Sequence, residues 1–505
     1  MSSNDDKWED KEPVAGLSAA SSCIHFSLCL DKDEKLPSST QFLPVYTHQC
    51  FPDEFISGWQ PMSSAQQSSQ QVYQRWRYGS VGEVHATTQE KHSSYEQIVG
   101  IENQLEVNVI LSPSCDTCKI EVTTSSPPES NINTDEPATK KARKVTFKEP
   151  DDKFTQQLSI DDVIKKMQSS IPPIISVTID GSSTATNVAK SDSTGFDYLS
   201  HPIGTVVKSY RRKIKYNDMV EEEGDFVVTL AKGSDPVVAS YHNAIQPLAR
   251  WFIETADDVN ISDEDGGFWT VLYLFRKHEN KSSDNGTSFR YSLAGYITLF
   301  HFHAPFRKPN PGIIVRVCQA LILPTYQRAG HGSDLLLSVH EYADKYLHDY
   351  ASSSTGMDIV EVNVEDPAPR FVALRDSVDY KRFVPLVESM RDTIGKLPEV
   401  TNKEYFQPHD GLSISSLLKI TKRQTEVMQE IYKLAAVERW KQDSKDKAQI
   451  EQVETYYRLM VKRNLKCHRT EELGACEGGK EEQKALLAKW FSQTHNHYRK
   501  ILGLV

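Results

Sequence analysis

The chain has 505 residues, 58 Lys and Arg against 69 Asp and Glu for a net charge of −11, and 38% hydrophobic residues. That length predicts two or three folded units with linkers, and the composition excludes collagen, a coiled coil and wholesale disorder. No stretch approaches the roughly 18 uninterrupted apolar residues that cross a bilayer, and the amino-terminal Met-Ser-Ser-Asn-Asp-Asp-Lys lacks the basic-then-apolar order of a secretion signal. A soluble intracellular protein without membrane contact is therefore expected, its 8 cysteines too sparse for a disulfide framework. Charge is uneven: from Gly411 onward there are 18 basic and 12 acidic residues, so residues 1–410 carry −17. An acidic body predicts a cationic substrate or partner, because opposite fields raise encounter rates.

Residues 1–20 are charged and aperiodic and predict a disordered tail. An N-terminal α+β unit is expected over 21–203, its first core pieces being Cys23–Leu30 and Phe42-Leu-Pro-Val-Tyr-Thr-His-Gln-Cys-Phe51. Residues 112–153 hold few large apolar groups and predict a disordered insertion. Within it, Lys140-Lys-Ala-Arg-Lys144 is either a nuclear-import cluster or a solvated charge run. Cys115-Asp-Thr-Cys118 would need a second ligand pair to hold zinc, and only Cys467-His468 and distant Cys476 offer one, so no metal site is expected. Structure is expected to resume at Asp161-Asp-Val-Ile-Lys-Lys-Met.

From residue 204 strands and helices alternate, the pattern of an α/β unit running to about 410. Phe226–Ala231, Trp269–Phe275, Tyr291–Phe302, Ile313–Leu323 and Met357–Val364 predict strands. Ile245, Leu248, Trp251 and Phe252 recur at helical spacing, as do Leu335, Leu336, Val339, Ala343 and Leu347. Beyond Gly411 the spacing of Ile420, Val427, Ile431 and Leu434, then Val453, Tyr456 and Met460, predicts a helical unit over 411–505.

Gln327-Arg328-Ala329-Gly330-His331-Gly332 follows a strand and opens an amphipathic helix, the geometry that turns free helix N–H groups into an anion site. Gly330 and Gly332 would let the backbone approach phosphate oxygens with no Cβ in the way, and Arg328 could add charge at the rim. The string Pro324-x-Tyr326-Gln327-x-x-Gly330-x-Gly332-x-x-Leu335-Leu336 resembles the acetyl-CoA motif of the GCN5-related N-acetyltransferases. That resemblance implies their fold, a mixed central sheet flanked by helices, with the α+β unit before it and the helical unit after it. It implies that the backbone amides of Gln327 through Ser333 bind the pyrophosphate of acetyl-CoA, and that Ala320, Leu321 and Ile322 run beside pantetheine and thioester. These three also read as sheet core.

Acetyl transfer to lysine needs a neutral amine, yet a free lysine titrates near ~10.4, so about one in a thousand is ready at neutral pH and a base is required. Along the last strand Val360, Val362 and Val364 share one face, leaving Glu361, Asn363 and Glu365 on the other. Glu365 ends that strand, where ligands of such sheets bind. Desolvation there would raise a carboxylate pKa toward the useful range. Asp366 before Pro367 also reads as an ordinary helix N-cap, and Glu254 as an exposed acid near a helix end. A covalent route would need a nucleophile such as Cys318, which reads as inert strand core.

The resemblance narrows further. Phe42–Phe51, Trp251-Phe-Ile-Glu-Thr-Ala256, Ala320–Leu323 with Gly330-His-Gly332, and Val364-Glu-Asp-Pro367 with Leu374-Arg-Asp376 are similar, in order, to the catalytic subunits of type B histone acetyltransferases. The resemblance implies Glu365 as general base, Asp366 and Glu254 as supporting carboxylates, and direct attack by lysine on the thioester with strand amides near Leu321 stabilising the oxyanion. It implies free histone H4 with its partner histone as substrate, a WD-repeat histone chaperone as companion subunit, and a cytoplasmic and nuclear location. An acetyltransferase for another amine and a non-catalytic histone-binding module are the alternatives. Direct nucleic-acid binding by the Lys462-Arg463 and Lys466 cluster is not expected, since it has little aromatic interleaving.

Overall fold

The computed structural model describes residues 17–19, 24–30, 41–45, 100–102, 105–124, 160–180, 182–184, 197–216, 220–253, 256–262, 268–280, 288–308, 310–346, 357–390, 399–407, 411–476 and 478–504. Glu254 and the Lys140–Lys144 cluster lie outside these residues.

The N-terminal sheet has the order β3-β2-β5-β6-β7-β8, built from β2 (Ile24–Leu28), β3 (Gln41–Phe42), β5 (Leu105–Leu111), β6 (Cys118–Thr124), β7 (Ile174–Ile179) and β8 (Ser182–Thr184). Separately, β1 (Leu17–Ala19) pairs antiparallel with β4 (Gly100–Glu102), so residues 17–19 are a strand and not part of a tail. The expected insertion also starts too early at 112. Residues 112–124 form a tight turn and all of β6, because Cys115, Cys118, Ile120 and Val122 are buried among the core residues. The polar residues that disguised this segment satisfy one another: the Ser114 hydroxyl donates to Asp116 at 2.6 Å, and the Ser112 amide donates to the Thr117 carbonyl at 2.9 Å. The amphipathic helix α1 (Ile160–Met167) adds Val163 and Met167 to the same core.

The second sheet has the order β14-β13-β12-β11-β10-β9, from β9 (Thr205–Tyr216), β10 (Val220–Lys232), β11 (Trp269–Asn280), β12 (Ser288–Ala304), β13 (Gly312–Ile322) and β14 (Ile359–Val364). Its ladders are antiparallel except β13–β14, which is parallel. Between β13 and β14 runs α4 (His331–Lys345), whose Leu335, Leu336, Val339 and Ala343 are buried. Between β10 and β11 lie α2 (Pro236–Ile245), capped by the Asp235 carboxylate accepting from the Val237 amide, and the single turn α3 (Ala249–Phe252). This is the expected mixed sheet flanked by helices.

One hydrophobic core runs through both sheets. Trp251 and Phe252 join them: the Trp251 ring is fully buried edge-on to Phe26 at 5.1 Å, its indole N–H donates to the Ser170 carbonyl, and Phe252 meets Phe26 and Phe42 at 5.6 Å each.

A second core belongs to the helices α6 (Gly411–Leu418), α7 (Lys422–Asp443), α8 (Lys447–His468), α9 (Thr470–Gly474) and α10 (Gly479–Ile501). It also takes in Phe383 and Val387 from α5 (Pro369–Ser389), whose earlier residue Val378 packs in the sheet core. The boundary expected at 411 therefore falls inside α5: one helix is shared by both units because its apolar residues serve a different core in each half. Asp376 ties the joint, accepting from Gln424 Nε2 at 2.7 Å and lying 2.9 Å from His497 Nε2.

The helical unit also grips the edge of β14. The Val362 amide donates to the Lys419 carbonyl at 2.7 Å, while the Lys419 ammonium reaches the Ala343 carbonyl in the last turn of α4 at 2.7 Å and Asp358 at 2.9 Å. Lys419 holds a φ of +53°, a left-handed conformation that a side chain occupies at a cost of roughly 1–3 kcal/mol.

Two predictions follow from this packing. Trp251→Ala deletes a fully buried aromatic and should cost about 3–5 kcal/mol, read as a lower urea midpoint at unchanged m value; an unchanged midpoint would mean the two sheets do not share this clasp. His301 and His242 are buried, and burial pulls each ring from 6.5 down to about 4. His301 is satisfied as a neutral ring, Nδ1 lying 2.7 Å from the Phe268 carbonyl and Nε2 3.0 Å from the Tyr342 hydroxyl. Between these pKa values the unfolded chain binds protons the folded chain refuses. Their contribution is thus complete above pH 6.5 and is lost as pH falls through about 4. The urea midpoint should drop from pH 7 to pH 5, with a shallower slope in His301→Gln; identical slopes would contradict the assignment.

Candidate active site

The site is made by an interruption in strand pairing. Along β12–β13, Leu299 faces Val317 and Thr298 faces Gln319, so Cys318 is the extra residue of a β-bulge. On the other edge the parallel ladder stops at Val317↔Val364, closed by the Glu365 amide donating to the Val317 carbonyl at 2.9 Å. A bulge bends its strand and re-aims the residues beyond it. β13 therefore continues through Gln319–Ile322 beside β12 alone, and its edge toward β14 is open. Leu321 is buried, whereas Ala320 and Ile322 are half-buried.

Register sets Glu361, Asn363 and Glu365 on one face, as expected, with Ile314 opposite Glu361 and Arg316 opposite Asn363. Arg316 lies over the Phe302 ring at 4.5 Å, donates to the Asn363 side chain at 3.3 Å, and comes within 3.9 Å of the Glu365 carboxylate. Arg307 pairs with Glu361 at 2.7 Å. Glu365 is 40% exposed and open to a ligand while held from one side. Cys318 is half-buried beside Glu365 rather than fully in the core. Burial first, then the Glu365 charge, push its thiol up to about 12.

Asp366 is exposed with a φ of +33°, and it does not cap the following helix. α5 begins three residues later at Pro369, with Ala368 at the N-cap. The second proline of the Pro367-Ala-Pro369 run sets the helix start, because the residue before a proline is driven away from helical angles.

At the other end of the open edge, the chain turns from β13 through Pro324–Tyr326 to the 327–332 loop. Arg328 has a φ of +64° and Gly330 of +90°. Of the amides expected to hold an anion, that of Gln327 donates to the Pro324 carbonyl at 3.1 Å and that of Ser333 to the Gly330 carbonyl at 3.0 Å. Those of Arg328, Ala329, His331 and Gly332 meet no protein acceptor among the described residues and stand at a helix N-terminus, a donor set suited to phosphate oxygens. The Gln327 side chain donates back to the Ile322 carbonyl at 2.8 Å.

The loop is also fixed by its own neighbours. A Cβ on Gly330 would collide with the Arg212 guanidinium, 2.9 Å from Nη1, and one on Gly332 would press Leu374 at 3.2 Å. Both glycines thus serve close approach within the protein and, at Gly330, a positive φ. The His331 ring turns inward, 4.2 Å from Phe226, with Nδ1 2.9 Å from the Tyr210 hydroxyl. Burial draws it down to about 4, so it is neutral, and its amide alone faces the loop. Nothing in the local pattern of Tyr210-Arg-Arg-Lys-Ile-Lys singles out Arg212.

An anion cradle, an open strand edge and a carboxylate thus follow one another at the carboxyl ends of β13 and β14. Among the described residues no group of His, Cys, Asp and Glu is placed to hold a metal.

Residues 96–254 match the family described as histone acetyl transferase HAT1 N-terminus. The chain is 29% identical over 315 residues to a mouse histone acetyltransferase type B catalytic subunit, covering 60% of this chain and 61% of that protein. The human protein of the same description matches at 29% over 313 residues with the same coverage, and one from Dictyostelium discoideum at 28% over 231 residues, 46% of this chain and 44% of that one. The chain thus aligns with about three-fifths or less of the length of these relatives. The solved structure of Arabidopsis thaliana NAA60 with a bisubstrate analogue covers 23% of this chain and 67% of that one at 18% identity and a TM-score of 0.15, too low a likeness to bear on the fold. Over the region they share, the chain is similar in sequence to the type B histone acetyltransferase catalytic subunits.

Proposed function

We propose that the protein is a type B histone acetyltransferase that transfers acetyl from acetyl-CoA to lysine ε-amines in the N-terminal tail of free histone H4, presented with its partner histone. The observation that carries this reading is the open edge of β13 with the unpartnered amides of the 327–332 loop at one end and Glu365 at the other. The relatives' names and the −17 charge of residues 1–410 favour a cationic histone tail over a neutral acceptor. A WD-repeat histone chaperone as companion subunit and a cytoplasmic and nuclear location belong to the same reading; direct nucleic-acid contact does not.

The amides of Arg328, Ala329, His331 and Gly332 would hold the diphosphate, and the edge of Gln319–Ile322 would lie along pantetheine. When bound, acetyl-CoA supplies an activated acyl group as a thioester. Glu365, braced by Arg316, takes the proton from the incoming ammonium, directly or through a water, and frees the lone pair for attack. Amides at the open edge near Leu321 receive the charge that develops on the carbonyl oxygen, and as that carbonyl re-forms the carbon–sulfur bond breaks and coenzyme A leaves as the thiolate. Asp366 and Glu254 act as supporting carboxylates that attract the cationic acceptor. Cys318, with its thiol pushed up to about 12, holds its proton at neutral pH, which favours direct attack over a cysteine-bound acyl intermediate.

Incubation with acetyl-CoA, histones and a polyamine, followed by mass spectrometry, should place acetyl groups on H4 lysines; acetylated polyamine with unmodified H4 would overturn the substrate. Glu365→Gln should lower the maximal rate roughly 10²–10⁴-fold, with coenzyme affinity retained; an unaffected rate would remove Glu365 as the base. Cys318→Ser should keep the wild-type rate and form no acyl-enzyme in single-turnover mixing, whereas loss of activity that tracks loss of an acyl adduct would establish the covalent route.

A further inference from the structure

Arg212 belongs to β9, at the opposite edge of the sheet from β14, yet its guanidinium lies against the 327–332 loop. Tyr210 stacks on Phe226 at 5.7 Å, and Phe226 meets Tyr326 at 5.9 Å and His331 at 4.2 Å, so an aromatic cluster ties the β9–β10 hairpin to the start of α4. Two residues on, and on the same side of the strand as Tyr210, Arg212 pairs through Nε with Asp334 in the first turn of α4. That carboxylate is 17% exposed, and left alone it would repel an anion at the helix N-terminus. Bound to Nε it becomes the tether of a cation. The two terminal nitrogens, Nη1 and Nη2, stand 2.9 and 3.4 Å from the point a Cβ on Gly330 would occupy and meet no protein acceptor among the described residues.

We propose that Arg212 is a phosphate-binding residue, its terminal guanidinium nitrogens completing from the far edge of the sheet the anion cradle that the loop amides begin. The proposal rests on the reading that a coenzyme occupies this loop, and it adds a side chain from outside the loop. A guanidinium held at Nε presents its remaining N–H groups as a fixed fork, which matches phosphate oxygens and loses little freedom on binding. Tyr210 and Asp334 are positioning residues: they aim the fork. Gly330 is then required by the ligand's partner, because any side chain there would displace the guanidinium from the loop.

The test compares coenzyme A, measured by calorimetry, with pantetheine, which carries no phosphate, measured by NMR titration. Loss of a charge-assisted pair should weaken coenzyme A binding by Arg212→Met about 10–100-fold and leave pantetheine binding unchanged. Arg212→Lys should recover part of the loss, having the charge without the fork. Arg211→Met, on the same strand and paired with exposed Asp225, is the control for folding and general charge and should bind both ligands as wild type does. Equal weakening of both ligands would mean that Arg212 acts only through the fold, and no weakening of coenzyme A would mean that it does not touch phosphate; either overturns the proposal. Wild-type protein failing to bind coenzyme A would instead strike the coenzyme reading itself, and the two failures are told apart by which protein shows them.

Discussion

The structure depends on one interruption of backbone pairing. Up to Val317, β13 is hydrogen-bonded to both neighbours; at Cys318 an extra residue enters and the ladder to β14 ends one residue later in that strand, at Glu365. Backbone groups buried in a sheet are almost always paired, so the part of this edge that the Gln327 side chain does not cover must be satisfied by water or by a ligand. The same event that bares the edge places Glu365 beside it, because that carboxylate sits where β14 runs out. The opening and its acid therefore share one cause.

Holding such a gap requires that the two strands not close again, and three parts of the fold act on that. The helical unit lends Lys419 to the outer edge of β14, to Asp358 at its foot and to the last turn of α4. Asp376, buried in α5, binds α7 and α10 to the helix that leaves the site. Leu374 packs on Gly332, locking α5 against the start of α4. The C-terminal helices thus belong to the architecture of the site.

How much of this was legible in the sequence varied with the range of the interaction. Five of the six strands of the second sheet, β10 to β14, the loop at 327–332 and the face carrying Glu361, Asn363 and Glu365 follow from local periodicity, whereas the edge strand β9 does not. What depended on distant partners was misread. Residues 112–124 look like a polar linker because serines and an aspartate bond one another, while the buried positions are small cysteines and two branched residues. The boundary inside α5 was invisible because a helix serving two cores keeps one continuous apolar pattern. Cys318 reads as core until the bulge is known, and a bulge leaves no mark in a single sequence. Arg212 becomes meaningful only when the sheet brings its far edge to the loop.

The most direct measurement of the central claim is a crystal structure of the protein with coenzyme A and an H4 tail peptide. The account predicts phosphate oxygens on the amides of 328–332, pantetheine along Gln319–Ile322, and the sulfur and a lysine amine meeting beside Glu365. Coenzyme lodged on another surface, or a peptide lysine held away from Glu365, would contradict it.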